Sequence, residues 1–192
     1  PLVKVKVSAA GRSSSSSGLG DVSLGAGVAW HHSPQLDTVA ALDIVLPVGQ
    51  YDASRPVNVG RNHASIQPAY LVSWIDPNGL NADAKIGLNL NRTNKDTDYR
   101  SGTELNIDYT LGWGLGNGWV VGVGGNIYQQ LSDDKRHGQS VPGAKGRAYS
   151  AGPNLKYDSG KGWFITAKLA KEFSVRSRSE GTQFWIKTTI PF

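Results

Sequence analysis

An all-β fold, a transmembrane antiparallel up-and-down β-barrel, is what this sequence predicts, and three observations predict it. Apolar and polar residues alternate with period two in segment after segment, while helical periodicity is hard to find. The connections between these segments are short and long in strict turn. Five of the six Trp stand beside the short connections, at one level of the strands.

The strands follow in order. The first sets Val3, Val5 and Val7 against Lys4 and Lys6. The second sets Val22, Leu24, Ala26, Val28 and Trp30 against Asp21 and Ser23. In the third, Leu42, Ile44 and Leu46 flank Asp43; in the fourth, Ile66, Tyr70, Val72 and Trp74 oppose Ser65, Gln67 and Ser73. The fifth, Leu80–Asn91, is the clearest. Its even positions are apolar (Leu80, Ala82, Ala84, Ile86, Leu88, Leu90) and its odd positions are Asn81, Asp83, Lys85, Gly87, Asn89 and Asn91. The sixth, Thr103–Trp113, sets Leu105, Ile107, Tyr109, Leu111 and Trp113 against Glu104, Asn106, Asp108 and Thr110. The seventh places Trp119, Val121, Val123 and Ile127 opposite Gly122, Gly124, Asn126 and Tyr128. The eighth places Tyr149, Ala151, Leu155 and Tyr157 opposite Ser150, Asn154 and Lys156. In the ninth, Trp163, Ile165, Ala167, Leu169 and Phe173 oppose Thr166, Lys168 and Glu172. In the tenth, Phe184, Ile186, Ile190 and Phe192 oppose Gln183, Lys187 and Thr189. The fifth strand has 12 residues, against about 5–6 for a typical globular strand and about 9–11 for a tilted strand crossing a bilayer.

The short connections include Asp76-Pro77-Asn78-Gly79 and Gly116-Asn117-Gly118, compositions that tolerate the positive φ of tight turns. The long ones are Ser8–Gly18, Gly49–His63, Thr93–Gly102, Ser132–Lys145 and Ser174–Gly181. Tight turns at one end and spacious loops at the other are the pattern of membrane barrels. Trp30, Trp74, Trp113, Trp119, Trp163 and Phe192 form a girdle at the short-turn level. Tyr70, Ile127, Tyr128, Tyr149 and Phe173 form a looser belt at the other. A soluble sandwich would have shorter strands, and a lipocalin-like barrel would hide its apolar face inside.

Composition sets further limits. The 192 residues suit one domain, 1–192, with 39% hydrophobic and 18% charged residues, 24 Gly and a formal charge of +5. The absence of Cys removes disulfides, thiolate metal sites and cysteine nucleophiles. No apolar run is long enough for a helical span. The opening at Pro1, with no Met anywhere, suggests a processed or N-terminally incomplete chain. Lys and Arg are scattered over strands and loops, so nucleic acid is not an expected partner.

Several segments also carry a resemblance. They are Gly18-Leu-Gly-Asp21, Leu46-Pro-Val-Gly-Gln-Tyr51, Asn58-Val-Gly-Arg-Asn62 with Gln67-Pro-Ala-Tyr70, and Tyr99-Arg-Ser-Gly-Thr-Glu104. Gly122–Gln130 with Asp133-Asp134, Gly152-Pro-Asn-Leu155, and Glu180-Gly-Thr-Gln-Phe184 to Pro191-Phe192 complete the set. Together they resemble the outer-membrane channel family of phenol meta-pathway degradation proteins. The resemblance implies a monomeric barrel in the outer membrane of a Gram-negative bacterium, admitting small hydrophobic or aromatic compounds. It also implies 12 strands, two more than the ten readable here, as if an N-terminal hairpin were missing.

The inward face of such a barrel offers Lys4, Lys6, Asp43, Asp83, Lys85, Glu104, Asp108, Asn126, Lys156, Lys168, Glu172 and Lys187. They form either the lining of a water-filled path or the bracing of a filled interior; the latter makes a plugged structural or adhesive barrel. Arg55, Arg61, Asp133, Asp134 and Arg136 are candidates for an inward-folded constricting loop, and the basic loop residues are alternatively ligands for lipopolysaccharide phosphates. Asp133, Asp134 and His137 superficially resemble the rim site of outer-membrane proteases, but all three lie in one loop, so no enzyme is expected. No cofactor and no metal are expected; His31-His32 reads as polar turn surface, and Ser13–Ser17 as a flexible loop tip. Phe192, a terminal aromatic on an amphipathic strand, resembles the signal read by the barrel-assembly machinery.

Overall fold

The computed structural model describes residues 1–9 and 12–191. The described residues form strands and connections without a helix. In chain order the strands are β1 (Leu2–Ala9), β2 (Arg12–Leu19), β3 (Val22–His31), β4 (Leu36–Leu46), β5 (Ser65–Ile75), β6 (Leu80–Asn91), β7 (Tyr99–Arg100), β8 (Glu104–Gly114), β9 (Trp119–Gln130), β10 (Asp134–Arg136), β11 (Gln139–Val141), β12 (Arg147–Asp158), β13 (Phe164–Arg176) and β14 (Thr182–Thr189). Nine of them make one antiparallel sheet in the order β3-β4-β5-β6-β8-β9-β12-β13-β14, each beside its neighbour in sequence. This is an up-and-down meander. The sheet is not closed: β3 and β14 are its edges. Both run toward the short-turn end, so antiparallel closure needs an odd number of strands between them.

The register keeps parity along the sheet except at one β-bulge, between Arg147 and Tyr149 on β12 where it meets β13, because the side-chain period of a strand is two. Ile86 pairs with Tyr70 and Ile107 on one face, while Lys85 pairs with Leu71 and Asp108 on the other. Pro68 and Pro153 sit inside long strands without breaking them. The β5–β6 ladder is interrupted at Gln67–Pro68 and the β12–β13 ladder at Gly152–Pro153, where a proline nitrogen has no hydrogen to donate.

The burial pattern is inverted relative to a water-soluble protein. Among the described residues the buried apolar side chains are Ala148 and Ala170, against ten buried polar ones, among them Thr38, Ser65, Asn81, Gln130, Asp134, Asn154 and Glu172. Leu24, Val28, Ile86, Leu111, Val121, Leu169 and Ile186 are all exposed on the outward face. Moving such a side chain from water into hydrocarbon is worth about 1.5–3 kcal/mol, so this face demands lipid. At its short-turn end Tyr157 packs at a tilt against Trp119 at 4.9 Å and Trp163 at 5.5 Å. At the other end Tyr149 meets Phe173 edge-on at 6.1 Å.

Three expectations change. Residues 13–17 are strand, not loop tip: Ser13 to Ser17 pair with Ser8 to Lys4 in the β1–β2 ribbon, which is a sheet of its own. A serine run has no alternation to betray a strand, yet its backbone hydrogen-bonds like any other. Lys4 and Lys6 are therefore exposed on that ribbon and lie outside the nine-stranded wall. Tyr128 leaves the outer belt: it has the inward parity of Asn126 and hydrogen-bonds Glu104. Phe192 lies outside the described residues.

Candidate functional site

The candidate site is the inward face. Its polar residues come from alternate positions of β4 to β14, and the ladder fixes which meet. Asp83, on β6, accepts hydrogen bonds from Ser73 on β5 and, at 3.0 Å, from Thr110 on β8. Asp108 accepts one from Asn126 at 3.0 Å. Glu104 accepts from Asn89 at 2.9 Å and Tyr128 at 3.0 Å. Asp43 stands inward on β4 between Gly25 and Gln67. Glu172 is buried on β13, where it accepts the Gly181 amide at 2.8 Å and Gln183 at 3.3 Å, with Arg178 3.6 Å away. Each of these carboxylates but Asp43 has a donor across the ladder.

The cations are arranged differently. Lys85 is the in-register neighbour of Asp108, yet makes no ion pair among the described residues. Lys156 reaches Asp158 at 3.7 Å and lies 5.2 Å from the Phe164 ring centre; Lys187 lies 5.7 Å from that same ring. Lys168 pairs in register with Asn154 and Trp185. Asp43, Asp83, Glu104 and Asp108 thus occupy β4–β8, and Lys156, Lys168 and Lys187 occupy β12–β14.

Among the cavities along this face, two are lined by both Asp83 and Lys168. One of about 300 Å³ also touches Asp37, Val39, Leu71 and Asp108. The other, of about 400 Å³, reaches from Ile75 and Asn81 to Lys156, Phe164, Trp185 and Lys187. Sequence reasoning passed over Phe164 and Trp185 as site residues. Their parity was the available signal, since Trp185 lies between the outward Phe184 and Ile186.

At the long-loop end a cavity of about 600 Å³ is lined by Tyr51, Arg61, His63, Tyr99, Glu104 and Arg136. Asp21 holds the first long loop over it, accepting the Gly49 and Arg61 amides at 2.9 Å each. Asp134 anchors the opposite loop from a buried position, accepting from Gly102 N–H at 2.8 Å, Gln130 at 2.6 Å and the Tyr99 hydroxyl. Burial, and then that hydrogen bond, push the Tyr99 phenol up to about 12. Arg61 and Arg136 therefore stand at the mouth with Glu104. Arg55 and Asp133 do not line it: Arg55 pairs with Asp52 at 3.3 Å and Asp133 with Lys145 at 3.6 Å, both exposed. Hydrogen bonds from Ser54, with Arg55 adding less, hold the Asp52 carboxyl below its ordinary range.

The residues that suggested a protease rim do not converge. Asp134 is taken by the loop, Asp133 faces Lys145, and exposed His137 pairs with Asp98 at 2.9 Å. His31 and His32 also part, toward Asp37 at 2.7 Å and Thr38 at 2.8 Å.

The architecture has a solved counterpart. The crystal structure of an outer membrane channel from Pseudomonas putida F1 superimposes with a TM-score of 0.72 over 91% of this chain, at 12% identity. This chain spans 66% of the length of that channel. No curated protein matches it in sequence. The model of a family described as MetA-pathway of phenol degradation matches residues 1–188. The chain has the fold of an outer-membrane channel, and it belongs to that phenol-degradation family.

Proposed function

We propose that the protein is a passive channel in the outer membrane of a Gram-negative bacterium. Residues 1–192 belong to one monomeric barrel domain that admits small hydrophobic or aromatic molecules. No step makes or breaks a covalent bond. The observation that carries this reading is the inverted wall: apolar residues outward, charged and amide residues inward, along nine consecutive strands. The channel fold and the family support it. An odd number of further strands between β3 and β14 closes the wall; three would give the 12 that the family resemblance implies. Selectivity then arises at two levels, from Arg61, Arg136 and Glu104 at the mouth and from the charged walls below. The basic loop residues meet lipopolysaccharide phosphates, and the C-terminal sequence ending in Phe192 is presented to the assembly machinery.

Planar-bilayer conductance of the full chain tests this. Steady single-channel steps that candidate aromatic solutes interrupt are the expected result. A folded but silent barrel would replace the channel by a plugged structural protein.

A further inference from the structure

The lumen holds one feature that a general diffusion path does not require. Phe164 and Trp185 share one wall with three of its inward lysines, Lys156, Lys168 and Lys187, while the fourth, Lys85, stands on β6. Trp185 faces inward from β14, an open edge of the sheet, and borders the cavity that Lys168 and Lys187 also line. Beside it in register is Lys168, and Lys156 and Lys187 flank Phe164 on the same strands. Among the described residues only Lys156 of these three has a carboxylate within ion-pair reach, at 3.7 Å. Asp83, the carboxylate that shares their cavity, is already engaged by Ser73 and Thr110. Gly124 leaves the wall bare where the Lys168 stem crosses it; a Cβ there would lie 3.1 Å from Lys168 Cδ.

A second observation is independent of charge. Asn154, the other in-register neighbour of Lys168, is 8% exposed and borders the same cavity. Its Oδ1 is buried without a hydrogen-bond partner. A buried amide oxygen left unpaired costs free energy that a ligand donor would recover.

We propose that the β12–β14 wall is a binding subsite for aromatic carboxylates. The ring lies against Trp185, the carboxylate is held by Lys168 and Lys187, and a hydroxyl on the ring donates to Asn154. Phe164 positions the Lys156 and Lys187 ammonium groups through its ring face. The proposal rests on the channel reading, since it names the solute class that the path favours.

Calorimetric titration of the full chain folded in detergent tests it with benzoate, 4-hydroxybenzoate, benzyl alcohol, cyclohexanecarboxylate and benzylamine. Benzoate binding above that of the neutral, non-aromatic and cationic analogues is expected, with 4-hydroxybenzoate tighter still. Lys168→Gln and Lys187→Gln should each weaken benzoate about fivefold, the value of one partly hydrated charge at contact. Lys168→Arg should retain it, and Trp185→Ala should cost about two- to tenfold. Benzoate binding no better than benzyl alcohol, or indifferent to both lysine variants in a folded barrel, would overturn the subsite. Conductance is measured in parallel. Binding without conductance keeps the subsite and removes the channel; conductance without binding does the reverse.

Discussion

The two sides of the inward face carry opposite net charge, with Lys85 and Glu172 as the exceptions, but the more instructive difference lies in how that charge is held. On β4–β8, Asp83, Glu104 and Asp108 each accept hydrogen bonds from neutral side chains on neighbouring strands. On β12–β14, Lys168 and Lys187 have no such carboxylate partner among the described residues, and Lys156 has one at 3.7 Å. A carboxylate gripped by two strands is part of the wall's construction. A lysine on a flexible stem over a glycine is available to whatever enters. Equal numbers of charges can therefore make one wall a brace and the other a reader.

Glu172 offers the sharpest way to break this comparison, because it is a gripped carboxylate on the basic side. Glu172→Ala leaves the Gly181 amide and Gln183 without their acceptor. It should lower stability by about 1–3 kcal/mol, read as a shift of the urea midpoint of the heat-modifiable band on gels. Lys187→Gln should move that midpoint by less than about 0.5 kcal/mol; an equal loss would erase the distinction. Next comes selectivity. Lys168→Gln with Lys187→Gln should raise the cation-to-anion permeability ratio at least about fivefold, measured as the reversal potential in a salt gradient. Asp83→Asn should shift it less and in the opposite direction, because it removes one charge rather than two. The loops repeat the contrast in two adjacent residues. Asp134→Ala should expose the Ser132–Lys145 loop to limited proteolysis, whereas Asp133→Ala should leave the cleavage rate unchanged within about twofold. The smallest effect is on pH. The folded Tyr99 phenol titrates near 12 against an ordinary 10, so its contribution to loop stability is complete below 10 and fades as pH rises toward 12. Proteolysis of the loop should accelerate across that window, and Tyr99→Phe should abolish the dependence.

How far the fold was legible follows from the same chemistry. Leu80–Asn91 was readable to the residue, because a strand greasy on one side and wet on the other can alternate in only one way. Thr103–Trp113 differs by one residue at each end from β8. The β2 strand was not legible: Ser13 to Ser17 have no parity, and only the pairing with β1 makes them a strand. The small sheet of β7, β10 and β11 was hidden for the same reason, since its strands are two or three residues long. Within the candidate site, parity puts the charges of β4–β14 on one face of the sheet, but it carries no information about partners. Nothing in Asp133-Asp134 says which carboxylate is buried. That depends on Tyr99, Gly102 and Gln130, more than thirty residues away for the first two. Trp185 was overlooked because aromatic residues were sought where lipid would be.

The six indoles therefore fall into two optical populations. Trp30, Trp74, Trp113, Trp119 and Trp163 share one depth on the lipid side, so a brominated acyl chain should quench them together and only at that depth. On the channel reading proposed above, Trp185 looks into the aqueous interior among lysines, beyond the reach of any acyl chain. Iodide, drawn by those lysines, should quench it selectively. One emission spectrum with two orthogonal quenchers thus reports which side of the wall each reporter occupies, and whether the barrel around it has closed.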